Sequence, residues 1–132
     1  MGELTSGRVI AIIDDNEDNR FVFRTYFEDR HRVMEFAEGR EAIVSMRTDV
    51  PDIIFLDISL PGIDGLEVLR QIRQDPQLRH LPVIAVTAHA MIGDRERFLN
   101  AGFDGYVSKP IDFTHVTQII EKPFQMSAKS AH

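Results

Sequence analysis

The stretch Ile53–Gly65, reading IIFLDISLPGIDG, decides how the rest of the chain is read. Four apolar residues run directly into one carboxylate, Asp57, and a Pro61-Gly62 turn signal follows. An apolar run this short, bounded by turn residues, suits a strand covered on both faces, as in a parallel sheet. Packing offers no reason to place an acid at the tip of such a strand, so Asp57 is a candidate for chemistry.

Working outward, the same pattern recurs. Toward the N-terminus, Arg8 leads into VIAII and then Asp14-Asp15, a second apolar run that ends in acids. Asn16, Glu17 and Asp18 supply cap and first-turn signals for a helix, with acids at the positive end of its dipole. Its apolar face is expected from Val22, Phe23, Tyr26 and Phe27, and Phe21 beside it is either core or an exposed aromatic serving a partner. A more polar strand over His31–Phe36 suits a sheet edge, and Gly39 introduces a helix with Ala42, Ile43 and Met46 inward. Pro51 stops that helix before the opening stretch begins.

Toward the C-terminus, Leu66, Leu69 and Ile72 mark a helix face that ends near Asp75-Pro76. PVIAVT over Pro82–Thr87 is the next strand. Gly93-Asp94 starts a helix with Phe98 in the core and Gly102 as its stop. Phe103–Ser108 reads as a last strand that delivers Lys109-Pro110. Asp112 then caps a helix carrying Phe113, Val116, Ile119 and Ile120, which Pro123 ends. Five strands alternating with five helices through short connections predict an α/β fold with a doubly wound parallel sheet.

At 132 residues the chain has the size of one domain. The expected division is a flexible N-terminus over 1–7, a folded domain over 8–122 and a disordered tail over 123–132. A net charge of −6 argues against nucleic acid or an anionic membrane as partner, because both select for clustered Lys and Arg. With no cysteine, disulfides and thiolate metal sites are excluded. MGELTSGR lacks an apolar signal core and no run has the length of a membrane span, so a soluble cytoplasmic location is expected.

In an open parallel sheet the functional crevice lies outside the carboxyl ends of the strands. Asp14, Asp15, Asp57, Thr87 and Lys109 all fall there. Singly, each has a plain explanation: Asp14 or Asp15 could cap the next helix, Thr87 could satisfy a loop amide, and Lys109 could be solvated. Together they form a pocket of three carboxylates, a hydroxyl and an ammonium. Converging carboxylates repel one another unless a cation is present, and Mg²⁺ suits oxygen ligands that include one or two carboxylates. Such a pocket has the parts for phosphoryl transfer, with a carboxylate as nucleophile and the cations holding the transferring oxygens. There is no P-loop, HExxH or G-x-S-x-G pattern, and the histidines lack ligand spacing.

Four motifs in order, the Asp14-Asp15 pair, FLDISLPGIDG around Asp57, VTAHA containing Thr87 and YVSKP containing Lys109, resemble the receiver domain of two-component response regulators. The resemblance runs from Arg8 to about Lys122 and is strongest toward receivers of stand-alone regulators and hybrid kinases. It implies a flavodoxin-like sheet in the order 2-1-3-4-5. It implies that Asp57 accepts a phosphoryl group from a phosphohistidine on a histidine kinase or histidine phosphotransfer protein. Mg²⁺ would be held by Asp15 and Asp57, by Asp14 largely through water, and by the backbone carbonyl of Ser59. Lys109 would pair with phosphoryl oxygens, Thr87 would move to bind one, and Tyr106 would swing inward as the aromatic switch. The Lys109-Pro110 bond matches the family's cis peptide. Ser59 and His89 are expected to tune phosphoryl lifetime, although His89 could equally be an exposed loop residue. Phe21, Pro110 and Ile111 are expected to dock the histidine donor. Output to a downstream protein is expected through the fourth helix, fifth strand and fifth helix, with Met91, Ile92, Arg95, Leu99 and Tyr106 as candidates.

Such a chain catalyses its own phosphorylation and dephosphorylation and is not a turnover enzyme. Two rivals differ in class. An aspartate-nucleophile phosphatase of the haloacid dehalogenase type needs a second acid two residues beyond the nucleophile, and Ser59 stands there. A docking module that works without phosphorylation would not need the full set of acceptor-site residues.

Overall fold

The computed structural model describes residues 7–60, 62–88 and 93–121. The expectations for residues 1–6, His89, Met91, Ile92, Pro123 and the tail lie outside the described residues. Five parallel strands alternate with five helices. They are β1 (Val9–Ile13), α1 (Glu17–Phe27), β2 (Arg32–Phe36), α2 (Gly39–Thr48), β3 (Ile53–Asp57), α3 (Gly65–Gln74), β4 (Val83–Thr87), α4 (Asp94–Ala101), β5 (Gly105–Ser108) and α5 (Phe113–Glu121). The sheet order is β2-β1-β3-β4-β5, as the resemblance implied.

Side chains alternate across a strand, and here both faces are covered. Ala11 and Ile13, Ile54 and Leu56, and Val83 and Ala85 pack with Ala42, Ile43 and Met46 of α2, Val68, Leu69 and Ile72 of α3, and Phe98 of α4. Ile10 and Ile12, Ile53 and Phe55, and Ile84 and Val86 pack on the other face with Phe23 and Phe27 of α1 and Val116 and Ile120 of α5. This is why β1, β3 and β4 read as unbroken apolar runs. Complete burial of side chains such as Phe55 stabilises the fold by roughly 1.5–3 kcal/mol each.

The helix starts follow the sequence signals. The Asn16 side chain accepts the Asn19 N–H at 3.0 Å, Asp64 accepts that of Glu67 at 3.0 Å, and Asp112 accepts that of Thr114 at 3.0 Å. The left-handed Gly102, at φ 116°, ends α4.

Several expected core positions shift. Val22 and Tyr26 are exposed, because only Phe23 and Phe27, four apart, reach the sheet from α1. Tyr26 instead stacks on Phe113 of α5 at 4.6 Å between ring centroids. Phe21 is 54 % exposed, which removes the core reading and leaves the surface one. Leu66 is also exposed, since Val68 takes its expected place beside Leu69 and Ile72. The last strand starts at Gly105 rather than Phe103, whose N–H closes α4 on the Phe98 carbonyl at 3.1 Å and is lost to the sheet.

One clamp was not visible in the sequence. The Arg73 guanidinium at the end of α3 donates to the carbonyls of Leu81 at 2.7 Å and Gly102 at 2.8 Å, and to the Asp104 carboxylate at 2.9 Å. Asp104 in turn accepts the Val83 N–H at 2.8 Å, so one cation ties α3, β4 and the end of α4 together.

Gly65 is where α3 meets the tip of β3. A Cβ there would lie 2.6 Å from the Asp57 carbonyl oxygen and 2.7 Å from the Ile58 Cα, both backbone atoms. Gly65→Ala is therefore expected to cost about 1–3 kcal/mol in urea unfolding, since either α3 or the end of β3 must move. Wild-type stability in this variant would show that the close approach is not a constraint.

Candidate functional site

The carboxyl ends of β1, β3 and β5 bring the sequence-identified charges together. Continuing the strand alternation, Asp14, Asp57 and Lys109 share the face of Ile12, Phe55 and Val107, which α1 and α5 cover. Asp14 and Asp57 are buried, whereas Asp15 projects into solvent. One carboxylate oxygen from each of Asp14, Asp15 and Asp57 lies within 4.8 Å of the others. They line an open cleft of about 540 Å³ together with Asn16, Glu17, Asp18, Asn19, Ser59 and Lys109.

Lys109 is the cation at the centre. Its Nζ donates to Asp57 Oδ2 at 2.9 Å and lies 3.5 Å from Asp14 Oδ2. The other Asp57 oxygen, Oδ1, accepts the Ser59 N–H at 2.8 Å. Burial pulls the Lys109 pKa down, but the Asp57 hydrogen bond and the charges of Asp14 and Asp57 outweigh it, so the group ends above the ordinary lysine value. Asp14 lies above the ordinary carboxylate range chiefly because it is buried, and the neighbouring Asp57 charge adds to this. The Asn16 N–H, the Lys109 charge and the Asn19 amide pull in the opposite direction.

Thr87, buried at the end of β4, belongs to the other side of the sheet. Its strand parity is that of Val83 and Ala85, which face α2, α3 and α4. Its carbonyl accepts the Lys109 N–H at 2.8 Å. Tyr106, on the same face, is half-buried with its ring 5.7 Å from that of Phe98. Ser59 is exposed on the cleft. Of the expected docking residues, Phe21 and Pro110 are exposed, while Ile111 is half-buried and packs against the α1/α5 core. The Lys109-Pro110 peptide is cis. Arg95 and Leu99 are exposed on α4.

Sequence reasoning missed the residues that hold Asp14. The Asn19 side-chain amide donates to Asp14 Oδ2 at 3.2 Å, and Arg20 Nη1 donates to the Asp14 carbonyl at 2.8 Å. The Asn16 cap marks the helix start in the sequence, but only the fold shows that the turn it begins lies over the end of β1.

A cluster of three acids with one lysine leaves net negative charge, which is the arrangement that a hard divalent cation with oxygen ligands relieves. Residues 10–121 match the profile of the response regulator receiver domain. Over 113 residues, 85 % of this chain and 92 % of the relative, the sequence is 42 % identical to the polar-differentiation response regulator DivK of Brucella ovis. The receiver domain of the sensor histidine kinase PA1611 from Pseudomonas aeruginosa PAO1 superposes with a TM-score of 0.79 at 34 % identity, over 88 % of this chain and 96 % of that one. That structure has a magnesium ion coordinated in its active-site cleft. The N-terminal domain of a response regulator receiver protein from Methanoculleus marisnigri JR1 gives a TM-score of 0.72 at 28 % identity, over 86 % of this chain and 94 % of that one. Among the described residues, no helix is long and apolar enough to cross a membrane.

The raised Asp14 pKa sets a sign for pH dependence. In the window from the unfolded value, about 3.9, up to the raised folded value, the native state binds more protons than the unfolded chain, so stability falls as pH rises. In EDTA, the unfolding free energy of wild type relative to Asp14→Asn is therefore expected to decline across that window. A difference independent of pH would contradict the burial argument.

Proposed function

Because the chain belongs to the response regulator receiver domain family, whose members are phosphoryl-accepting switches of two-component signalling, we propose that Asp57 takes a phosphoryl group from a phosphohistidine donor in a Mg²⁺-dependent reaction. The observation that carries this reading is the Lys109 ammonium, 2.9 Å from Asp57 and 3.5 Å from Asp14 at the end of the sheet. A carboxylate oxygen of Asp57 forms a bond to phosphorus as the P–N bond to the donor imidazole breaks. The electron pair of that bond leaves with the imidazole nitrogen, and an aspartyl-phosphate remains.

The site's own residues supply orientation and charge. The Ser59 N–H and the Lys109 ammonium fix the two Asp57 oxygens, which limits the carboxylate's rotation before attack. Asp15 and Asp57, with Asp14 through water and the Ser59 carbonyl, would hold Mg²⁺, which when bound would neutralise charge on the transferring group. Lys109 holds a phosphoryl oxygen in the product. Phosphorylation adds roughly 1.5 to 2 negative charges at Asp57. Thr87 moves toward that charge, Tyr106 follows on the same face of the sheet, and the α4/β5/α5 surface passes the change to a protein partner. The partners are a histidine kinase or phosphotransfer protein upstream and a protein target downstream, with Phe21 and Pro110 meeting the donor.

Incubation with acetyl phosphate and Mg²⁺, followed by intact-mass measurement, is expected to add one phosphoryl group to wild type and none to Asp57→Asn. Labelling of Asp57→Asn would move the acceptor elsewhere, and an unlabelled wild type would favour docking without phosphorylation. Phe21→Ala is expected to slow transfer from the cognate histidine donor several-fold while leaving labelling by acetyl phosphate unchanged. Equal transfer rates would remove Phe21 from the docking surface.

A further inference from the structure

The acids of the cleft are held very unequally. Asp14 is 1 % exposed, and its carboxylate is restrained at both oxygens. Oδ1 accepts the Asn16 N–H at 2.9 Å. Oδ2 accepts the Asn19 amide at 3.2 Å and faces the Lys109 ammonium at 3.5 Å. Asp15, by contrast, is exposed.

We propose that Asn19 is a positioning residue for the acidic site, holding the Asp14 carboxylate in the orientation from which it serves a divalent cation shared with Asp15 and Asp57. This rests on the metal-dependent reading above. An ionised carboxylate only accepts hydrogen bonds, so the Asn19 group facing it must be the NH₂. Asn19 is also held in place itself. Its backbone N–H is bound by the Asn16 cap at 3.0 Å, which fixes the first turn of α1 and directs the side chain back over the end of β1.

The main chain of Asp14 has separate support. Arg20 donates to the Asp14 carbonyl at 2.8 Å, and its Nε lies 3.5 Å from Glu35 of β2. Glu35 also binds Arg24 at 2.6 Å. Arg20 and Glu35 therefore set where Asp14 sits, while Asn19 sets which way its carboxylate faces. Without the Asn19 donor, Oδ2 would be left with Lys109 alone. The carboxylate would turn toward the ammonium and draw it from Asp57, and both changes weaken the site as a cation trap. Residues that orient metal ligands in this way change affinity by about 10–100-fold when replaced.

The test is calorimetric titration of the full chain with MgCl₂, without phosphodonor, for wild type, Asn19→Leu and Asn19→Gln. Leucine branches at the same carbon as asparagine, is somewhat larger, lacks the donor and favours helix; glutamine keeps the amide on a longer arm. The expected result is binding about tenfold weaker in N19L, with N19Q closer to wild type and both variants still folding cooperatively in EDTA at the titration temperature. N19L binding Mg²⁺ within about twofold of wild type, or N19Q losing as much affinity as N19L, overturns the assignment. Should N19L fail to fold, Asn19→Ala is read by the same criteria. A wild type that binds no Mg²⁺ overturns the metal-dependent reading itself, an outcome distinct from one in which wild type binds and the variants bind equally well.

Discussion

Three carboxylates gathered at the end of one sheet are the constraint on which the rest of this structure depends. Their oxygens lie within 4.8 Å of one another, and two of the three acids are buried. Like charges at that spacing oppose folding unless other groups compensate, and the surrounding residues do so one contact at a time. Lys109 stands between Asp14 and Asp57, the amides of Asn16 and Ser59 each satisfy one oxygen, and Asn19 satisfies another. The compensation is incomplete, since one ammonium faces three acids. The residual charge is what makes the site attractive to a divalent cation.

The fold makes this tolerable by keeping the charged end separate from the apolar body. Along β3, four residues fill the two cores in alternation, and the fifth, Asp57, is the first to lie beyond them. The same holds on β1, where Asp14 follows Ile13. Because Asp57 and Asp14 share strand parity with Ile53, Phe55, Ile10 and Ile12, both fall on the α1/α5 side. Thr87 and Tyr106 have the opposite parity. The buried acids and the pair Thr87 and Tyr106 therefore occupy opposite faces of one sheet, joined through the backbone at Thr87, whose carbonyl receives the Lys109 N–H.

The strand cores and the site charges were legible because their signals are local: an unbroken apolar run names a doubly covered strand, and the polar residue that ends it names the crevice. Helix faces were legible only in part. Phe23 and Phe27 pack inward, yet Val22, Tyr26 and Leu66 do not, because the width of a buried stripe depends on how a helix crosses the sheet and not on its own sequence. The start of β5 was hidden because the Phe103 N–H is taken by the end of α4, a choice made by Gly102 geometry. Asn19 and Arg73 were invisible for a related reason. Each acts on atoms of other elements, and nothing in NEDNR or RQIRQ distinguishes an arginine or asparagine that reaches across the fold from one that is solvated.

The position of Lys109 has a consequence in time as well as in space. During synthesis the acids of β1 and β3 emerge long before the strand that carries their counter-charge, and β5 adds to the sheet at its edge, against β4 alone. A nascent chain lacking that edge would hold three acids with no lysine among them. The strand that completes the hydrogen-bonded sheet thus also leads the one ammonium of the cluster to its acids.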